Sequence, residues 1–158
     1  DFRRVLFRSG NYNLLVQNGA SSNTAVGYAV MTLNTTGSQN TAIGTQALNA
    51  NTTASYNTAV GYQAGYSNTT GAYVTAFGNS ALRNNTSADA GAAFGAYALY
   101  SNTTGVYNTS VGVGALQSNT TASYMTAVGY QAYNSHATGA NAGTVVGYQA
   151  AYASTTGV

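Results

Sequence analysis

One short apolar and polar pattern recurs along the chain at a nearly constant interval. In Asn57-Thr58-Ala59-Val60-Gly61 the residue types alternate with a period of two, which is typical of a β-strand. The glycine that ends this pattern returns six times after 17 residues and once after 18. It falls at Gly27, Gly44, Gly61, Gly78, Gly95, Gly112, Gly129 and Gly147. The chain is therefore a tandem repeat, and each unit forms one element of a stack.

The length and composition of the unit favour a β-solenoid. Helical solenoids need ~33–47 residues per unit, whereas this unit has 17. Each unit also contains glycine, β-branched threonine and valine, and an Asn-Thr-Thr turn, all of which disfavour a helix. We therefore predict an all-β fold, a parallel β-solenoid (β-roll or β-helix) of about eight 17-residue coils. Each coil has room for two short strands and two turns.

The alternation also assigns the two sides of the strand. Ala59 and Gly61 share one side, and Thr58 and Val60 share the other, because successive strand residues point to opposite faces. A coil this small has a narrow interior, so we expect the alanine side to face inward. The outward side then carries an apolar stripe at Val26, Ile43, Val60, Phe77, Phe94, Val111, Val128 and Val146. Such a stripe would be sticky in water, and burial between chains would cover it.

Asparagine marks a turn on the far side of each unit. It recurs seven residues after the glycine, at Asn34, Asn51, Asn68, Asn85, Asn102 and Asn119. The Asn-Thr-Thr triplets match the N-glycosylation pattern, but Asn and Thr also cap turns through their own backbone. Stacked Asn side chains can form ladders, so we predict an Asn turn ladder. The residue after Thr-Thr alternates between Gly and Ala, which indicates pairing of units into 34-residue doublets.

Tyrosines occupy two further repeat positions. One set follows the glycine at Tyr28, Tyr62, Tyr130 and Tyr148, and it is a candidate surface contact for glycans or partner proteins. A second set precedes the strand at Tyr56, Tyr73, Tyr107 and Tyr124. Aromatic neighbours on consecutive rungs stabilise a sheet, so stacking is the other interpretation of both sets.

Charge narrows the classes of partner. Charged residues form 4% of the chain, against about 25% in an ordinary domain. After residue 9 only Arg83 and Asp89 are charged, and they cancel. A neutral repeat gives no reason to expect nucleic acid or an anionic membrane as a partner. No apolar stretch approaches the ~18 residues that cross a bilayer, so we expect no membrane insertion by this segment.

Residues able to carry chemistry are scarce. Asp89 and His136 lie almost three units apart, which is ~14 Å along such a rod. His136 takes the place of a turn asparagine and has no carboxylate or thiolate beside it. Arg83 and Asp89 are expected to form a weak pair across one turn. We predict no catalytic residue, no cofactor and no metal site, so the chain is not expected to be an enzyme.

The first nine residues differ from the rest. Phe2-Arg3-Arg4-Val5-Leu6-Phe7-Arg8-Ser9 resembles the translation of a sequencing-library adaptor, and the composition changes abruptly at Gly10. We interpret residues 1–9 as a non-native leader on a fragment from an environmental assembly. Residues 10–158 form the repeat domain.

The repeat resembles two known groups of proteins. The run from Asn57 to Gly71, NTAVGYQAGYSNTTG, is similar to the repeats of tail-fibre-type proteins of phages and environmental bacteria. The shorter core Ala42-Ile43-Gly44 is similar to the head repeats of trimeric autotransporter adhesins. The resemblance covers residues 23–158. It implies a left-handed parallel β-roll, assembly as a homotrimer or other homo-oligomer, and an extracellular place on a virion fibre or cell surface.

We therefore expect a structural or adhesive fibre segment that contributes to surface attachment through repeated rungs. The alternative is an ice-binding β-solenoid, because threonine recurs at Thr24, Thr41, Thr58, Thr75, Thr109, Thr126 and Thr144. A third possibility is disordered low-complexity sequence. The low charge and the periodic apolar positions argue against disorder.

Overall fold

The computed structural model describes residues 5–7, 20–135 and 142–153. Its described part is a single parallel sheet in which the strand order follows the chain order. The strands are β1 Val5–Phe7, β2 Thr24–Val26, β3 Thr41–Ile43, β4 Thr58–Val60, β5 Thr75–Phe77, β6 Ala92–Phe94, β7 Thr109–Val111, β8 Met125–Val128 and β9 Gly143–Val146. The prediction of an all-β parallel solenoid is confirmed, and strands β2–β9 carry the eight glycine-marked units.

Neighbouring strands pair through identical repeat positions. Between β2 and β3, for example, Thr24 lies beside Thr41 and Ala25 beside Ala42. The same alignment holds between β8 and β9, where the interval is 18 residues instead of 17. Each residue therefore lies over its equivalents in the neighbouring coils. We call such a set of equivalent residues a column.

Each described coil contains one strand, not the two expected from the sequence. After the marker glycine the backbone alternates in handedness, with φ of 53° at Gln63 and 59° at Gly65. The Gln63 N–H donates to Thr45 of the preceding coil (2.9 Å), and the Gly65 N–H donates to Ala81 of the following coil (2.9 Å). Since these bonds and local turns already satisfy the peptide groups, the segment needs no extended strand.

Small side chains fill the interior. The middle residue of each strand is buried, as Ala42, Ala59 and Ala76 illustrate with no exposed area. Four residues after the glycine, most coils add one larger buried side chain: Met31, Leu48, Leu82, Leu99, Leu116 and Tyr133. The inward assignment of alanine and the outward assignment of the threonine and valine positions agree with this burial.

The marker glycines let successive coils approach closely. Gly61 has a φ of +133°, and a Cβ built on it would lie 2.5 Å from the carbonyl oxygen of Gly78. No side chain fits at that distance. The recurrence of glycine at this position of every unit thus reflects contact between one backbone and the next.

Strand β1 lies inside the segment interpreted as a leader. Its backbone pairs in parallel with β2, Leu6 lying beside Ala25. An open sheet edge accepts any extended segment through backbone hydrogen bonds, so this pairing is compatible with a foreign origin. The leader interpretation concerns the gene and stays a prediction. His136 lies outside the described residues.

Candidate functional site

The outward face of the sheet carries two parallel columns. The threonine column runs through Thr24, Thr41, Thr58, Thr75, Ala92, Thr109, Thr126 and Thr144. Beside it the apolar stripe aligns Val26 with Ile43 and continues in the same register to Val146. Phe77 and Phe94 protrude most in the middle of the rod, 53% and 43% exposed, with ring centroids 6.5 Å apart. The predicted stripe is thus one continuous surface.

The predicted turn asparagines are buried and linked to one another. Asn51 donates to Asn34 at 2.8 Å, and Asn85 donates to Asn68 at 2.8 Å. Each Nδ2 also donates to a turn carbonyl three residues ahead, as Asn68 does to Gly71 at 2.8 Å. These amides are buried and form hydrogen bonds inside the rod. The asparagines of the glycosylation pattern are therefore not accessible at the surface.

The alternation of glycine and alanine after Thr-Thr has a counterpart in this ladder. Successive amide links measure 2.8, 3.4, 2.8, 3.3 and 2.8 Å from Asn34 to Asn119. The short links are donated by the asparagines whose turns contain alanine, and the long ones by those whose turns contain glycine. A Cβ on Gly71 would collide with the carbonyl oxygen of Ala88. The 34-residue doublet is therefore a structural period.

A second column of buried asparagines also forms a ladder, which was not predicted from the sequence. Its members precede four of the seven threonines of the threonine column: Asn23, Asn40, Asn57 and Asn108. The backbone N–H of Asn40 donates to Asn23 Oδ1 (2.8 Å), and that of Val74 donates to Asn57 Oδ1 (2.8 Å). Asn57 Nδ2 is buried without a partner in the described part of the rod, at a cost of ~1–3 kcal/mol. The asparagine that begins the Asn-Thr-Ala-Val-Gly motif was the sequence signal from which this column could have been predicted.

Tyrosines stack on the outer surface wherever two occupy adjacent coils. Tyr56 and Tyr73 have ring centroids 5.0 Å apart and planes 2° apart. Tyr107 and Tyr124 stack at 5.4 Å and 13°. Of the set after the glycine, Tyr130 and Tyr148 stack at 5.4 Å, while Thr45 separates Tyr28 from Tyr62. All of these rings keep an exposed surface, so stacking and surface contact are compatible.

The two charged residues of the repeat do not pair with each other as expected. Arg83 donates to Gln63 at 2.8 Å and to Asn84 at 3.1 Å. Its guanidinium carbon lies 5.3 Å from the ring centroid of Tyr66 and 5.8 Å from that of Tyr100. Asp89 instead accepts a hydrogen bond from the backbone N–H of Ala72 (2.7 Å). The five intervening residues carry the chain around the turn, so the two side chains lie in separate columns.

The described ranges contain no group of three or more His, Cys, Asp or Glu residues able to hold a metal ion. Nor do those ranges contain a helix that is long and apolar enough to cross a membrane. Comparison with protein-family models, with curated proteins and with solved structures found no match for the chain.

Proposed function

We propose that this chain is a structural or adhesive segment of an extracellular fibre, such as a tail-fibre shaft or an adhesin head. In this proposal it acts through repeated outward rungs and performs no catalysis. The observation that carries the proposal is the apolar stripe, which stays in register from Val26 to Val146 on an exposed face.

The stripe supports assembly as a homotrimer or other homo-oligomer. Its residues are apolar in every coil, and they stay partly exposed within the stack, as Ile43 at 38% and Phe94 at 43% illustrate. Burying apolar area contributes about 25 cal/mol per Å², so eight aligned rungs add up even when each one contributes little. A second copy of the chain offers the same repeat along its length and can cover the stripe throughout.

Adhesion to a host glycan or protein is supported by the repetition of outward tyrosine and threonine columns. Weak contacts that recur on a rigid rod combine into avidity without a deep pocket. The strength of attachment then depends on the number of coils. That dependence separates an adhesive rod from a receptor with one site.

The test measures the oligomeric state of the full chain by sedimentation velocity. We expect a concentration-dependent oligomer that the double variant Phe77→Asn/Phe94→Asn weakens. The matched control, Tyr56→Asn/Tyr73→Asn, removes a stacked aromatic pair from another column and should leave assembly unchanged. A monomer at all accessible concentrations would remove the basis of the fibre proposal.

Removing one 34-residue doublet provides a second test of the same proposal. Deletion of residues 57–90 keeps the alternation of glycine and alanine turns. It should shorten the rod by about 9.6 Å, two strand spacings, and preserve the β-sheet spectrum in circular dichroism. The free energy of adhesion to target cells should fall in proportion to the number of coils removed. Collapse of the fold after this deletion would count against a modular rod.

The aligned threonine column favours ice binding as a second candidate. A regular ladder of hydroxyl and methyl groups on a rigid sheet is a surface whose spacing can match a plane of an ice crystal. Ala92 interrupts the column, however, and Phe77 and Phe94 rise beside it. A thermal-hysteresis measurement on the purified chain decides between the two candidates, since a fibre segment gives no hysteresis.

A further inference from the structure

The column of tyrosines that precedes the strands is interrupted at Ala90. The stacked pair Tyr56–Tyr73 lies on one side of this alanine and the stacked pair Tyr107–Tyr124 on the other. The outer faces of Tyr73 and Tyr107 therefore look toward each other across a single coil. The exposed fractions of these two side chains are 63% and 55%. We call the space above Ala90, between these two rings, the Ala90 gap.

The backbone runs through the gap without a break. The Ala90 N–H donates to the Ala72 carbonyl at 2.9 Å, and the Tyr107 N–H donates to the Asp89 carbonyl at 3.2 Å. Tyr73, Ala90 and Tyr107 share a left-handed conformation, with φ of 58°, 52° and 57°, so their Cα–Cβ bonds point the same way. Two strand spacings then place the rings of Tyr73 and Tyr107 about 9.6 Å apart.

The same rod contains an occupied gap of this kind. In another column Tyr66 and Tyr100 also lie two coils apart, and the residue between them is Arg83. The Arg83 guanidinium lies within 5.3 and 5.8 Å of the two ring centroids. Two tyrosines separated by one coil thus accept an organic cation between them. At the Ala90 gap the chain supplies a methyl group where the other column supplies the cation.

A carboxylate lies beside the Ala90 gap. Asp89 takes the column position that Ser38 and Ser55 hold in earlier coils. One of its oxygens accepts the Ala72 N–H as Ser55 Oγ accepts the Ser38 N–H, and the residue is exposed. Asp89 is the only acidic residue in the part of the chain that the structure describes. Its charge adds attraction for a cation to the two ring faces.

We propose that the Ala90 gap binds an organic cation, a guanidinium or a methylated ammonium group, between Tyr73 and Tyr107 and next to Asp89. A cation midway between the rings would lie about 4.8 Å from each. That distance is inside the limit of ~6 Å at which a ring face attracts a cation. The site does not depend on the fibre function, since it needs only the fold.

Titration of the full chain, labelled in its tyrosine rings and Ala90 amide, tests the site by NMR. The probes are tetramethylammonium and methylguanidinium, with tert-butanol and urea as neutral analogues of similar shape. We expect saturable shifts at Tyr73, Tyr107 and Ala90 with both cations, and none with the neutral probes. The site is open to solvent, so we expect a dissociation constant in the millimolar range. The Tyr130–Tyr148 pair serves as the internal reference.

Three variants locate the binding. Ala90→Tyr fills the gap and should abolish the shifts, while Gln39→Tyr adds the same ring to the same column away from the gap and should leave them unchanged. Asp89→Ser restores the usual residue of its column and should weaken both cations about threefold to fivefold. If the Ala90→Tyr chain does not fold, Tyr107→Leu takes its place in the test, because it removes one of the two rings that form the gap.

Several results would overturn the proposal. These are the absence of saturable shifts at Tyr73 and Tyr107, equal shifts with the neutral probes, and retained binding in a folded Ala90→Tyr chain. A nuclear Overhauser contact between the Tyr73 and Tyr107 rings without any probe would also exclude it, because the gap would then be closed.

Discussion

The two sides of each strand obey different rules although they share one backbone. The inward column reads Ala25, Ala42, Ala59, Ala76, Ala93, Ser110, Ala127 and Val145. The outward apolar stripe varies from valine to phenylalanine over the same coils. The inside is limited by the distance between opposing backbone segments, whereas the outside faces solvent or a partner and accepts any volume. Sequence variation therefore reports which side of the coil a position occupies.

The exceptions on the inward side support this comparison. Ser110 is fully buried, and its hydroxyl donates to the Ala115 carbonyl at 2.7 Å, so the added oxygen has a partner. Val145 is larger, but it lies in the last described strand and is 6% exposed. Inward positions thus admit a satisfied hydroxyl within the rod and a larger side chain toward its end.

The largest expected effect comes from the backbone contact between coils. Gly61→Ala should lower the free energy of unfolding by about 3–5 kcal/mol, since it adds left-handed strain and a clash with Gly78. Gly147→Ala has the same φ of +133°, yet among the described residues its Cβ would meet only Ala150, at 3.5 Å. It should cost about 1–3 kcal/mol. Urea unfolding followed by circular dichroism measures both, and equal losses would mean that close coil contact is unimportant.

The asparagine turn ladder offers the next contrast between inside and outside. Asn85→Ala removes amide links to Asn68 and Asn102 and leaves buried polar groups unpaired. We expect a loss of about 2–4 kcal/mol. Thr86→Ala, one residue later, removes one exposed hydrogen bond to Thr103, and it should cost about 0.5–1 kcal/mol. Similar losses in urea unfolding would show that the ladder is not a main source of stability.

The pair of substitutions with the smallest expected effects lies in strand β4. Ala59→Val overfills the interior and should cost about 1–3 kcal/mol. Val60→Ala on the outward side should change the stability of an isolated chain by about 0.5 kcal/mol or less. If the stripe is buried between chains, the Val60→Ala loss will grow with protein concentration. Thermal melts at two protein concentrations measure the loss for Val60→Ala. An Ala59→Val chain as stable as the parent would contradict the limit on side-chain volume inside the coil.

Much of the architecture could be predicted because the repeat equals one coil. The spacing of Gly27, Gly44 and Gly61 fixed the period, and the alternation around Ala59 fixed the inward face. The turn asparagines followed from their recurrence. The prediction of a second strand was wrong because Gln63 and Leu82 adopt left-handed conformations, with φ of 53° and 49°, which non-glycine residues seldom favour. Residue type alone gives no signal for them.

The candidate site was less accessible to sequence reasoning. An Arg83–Asp89 pair was a reasonable expectation for two opposite charges six residues apart. The path of the turn instead places Arg83 between Tyr66 and Tyr100 and leaves Asp89 beside the Ala90 gap. Both gaps involve residues two coils apart, so their partners are 34 residues distant in the chain.

By itself, the sequence determined the period, the strand type and the membership of every column. A stack of identical coils converts equal spacing in the chain into contact in space, so those features need no coordinates. Only the tertiary structure decided how the columns lie relative to one another. The handedness of single residues such as Gln63 sets the path around each coil, and neighbouring coils impose it through their hydrogen bonds.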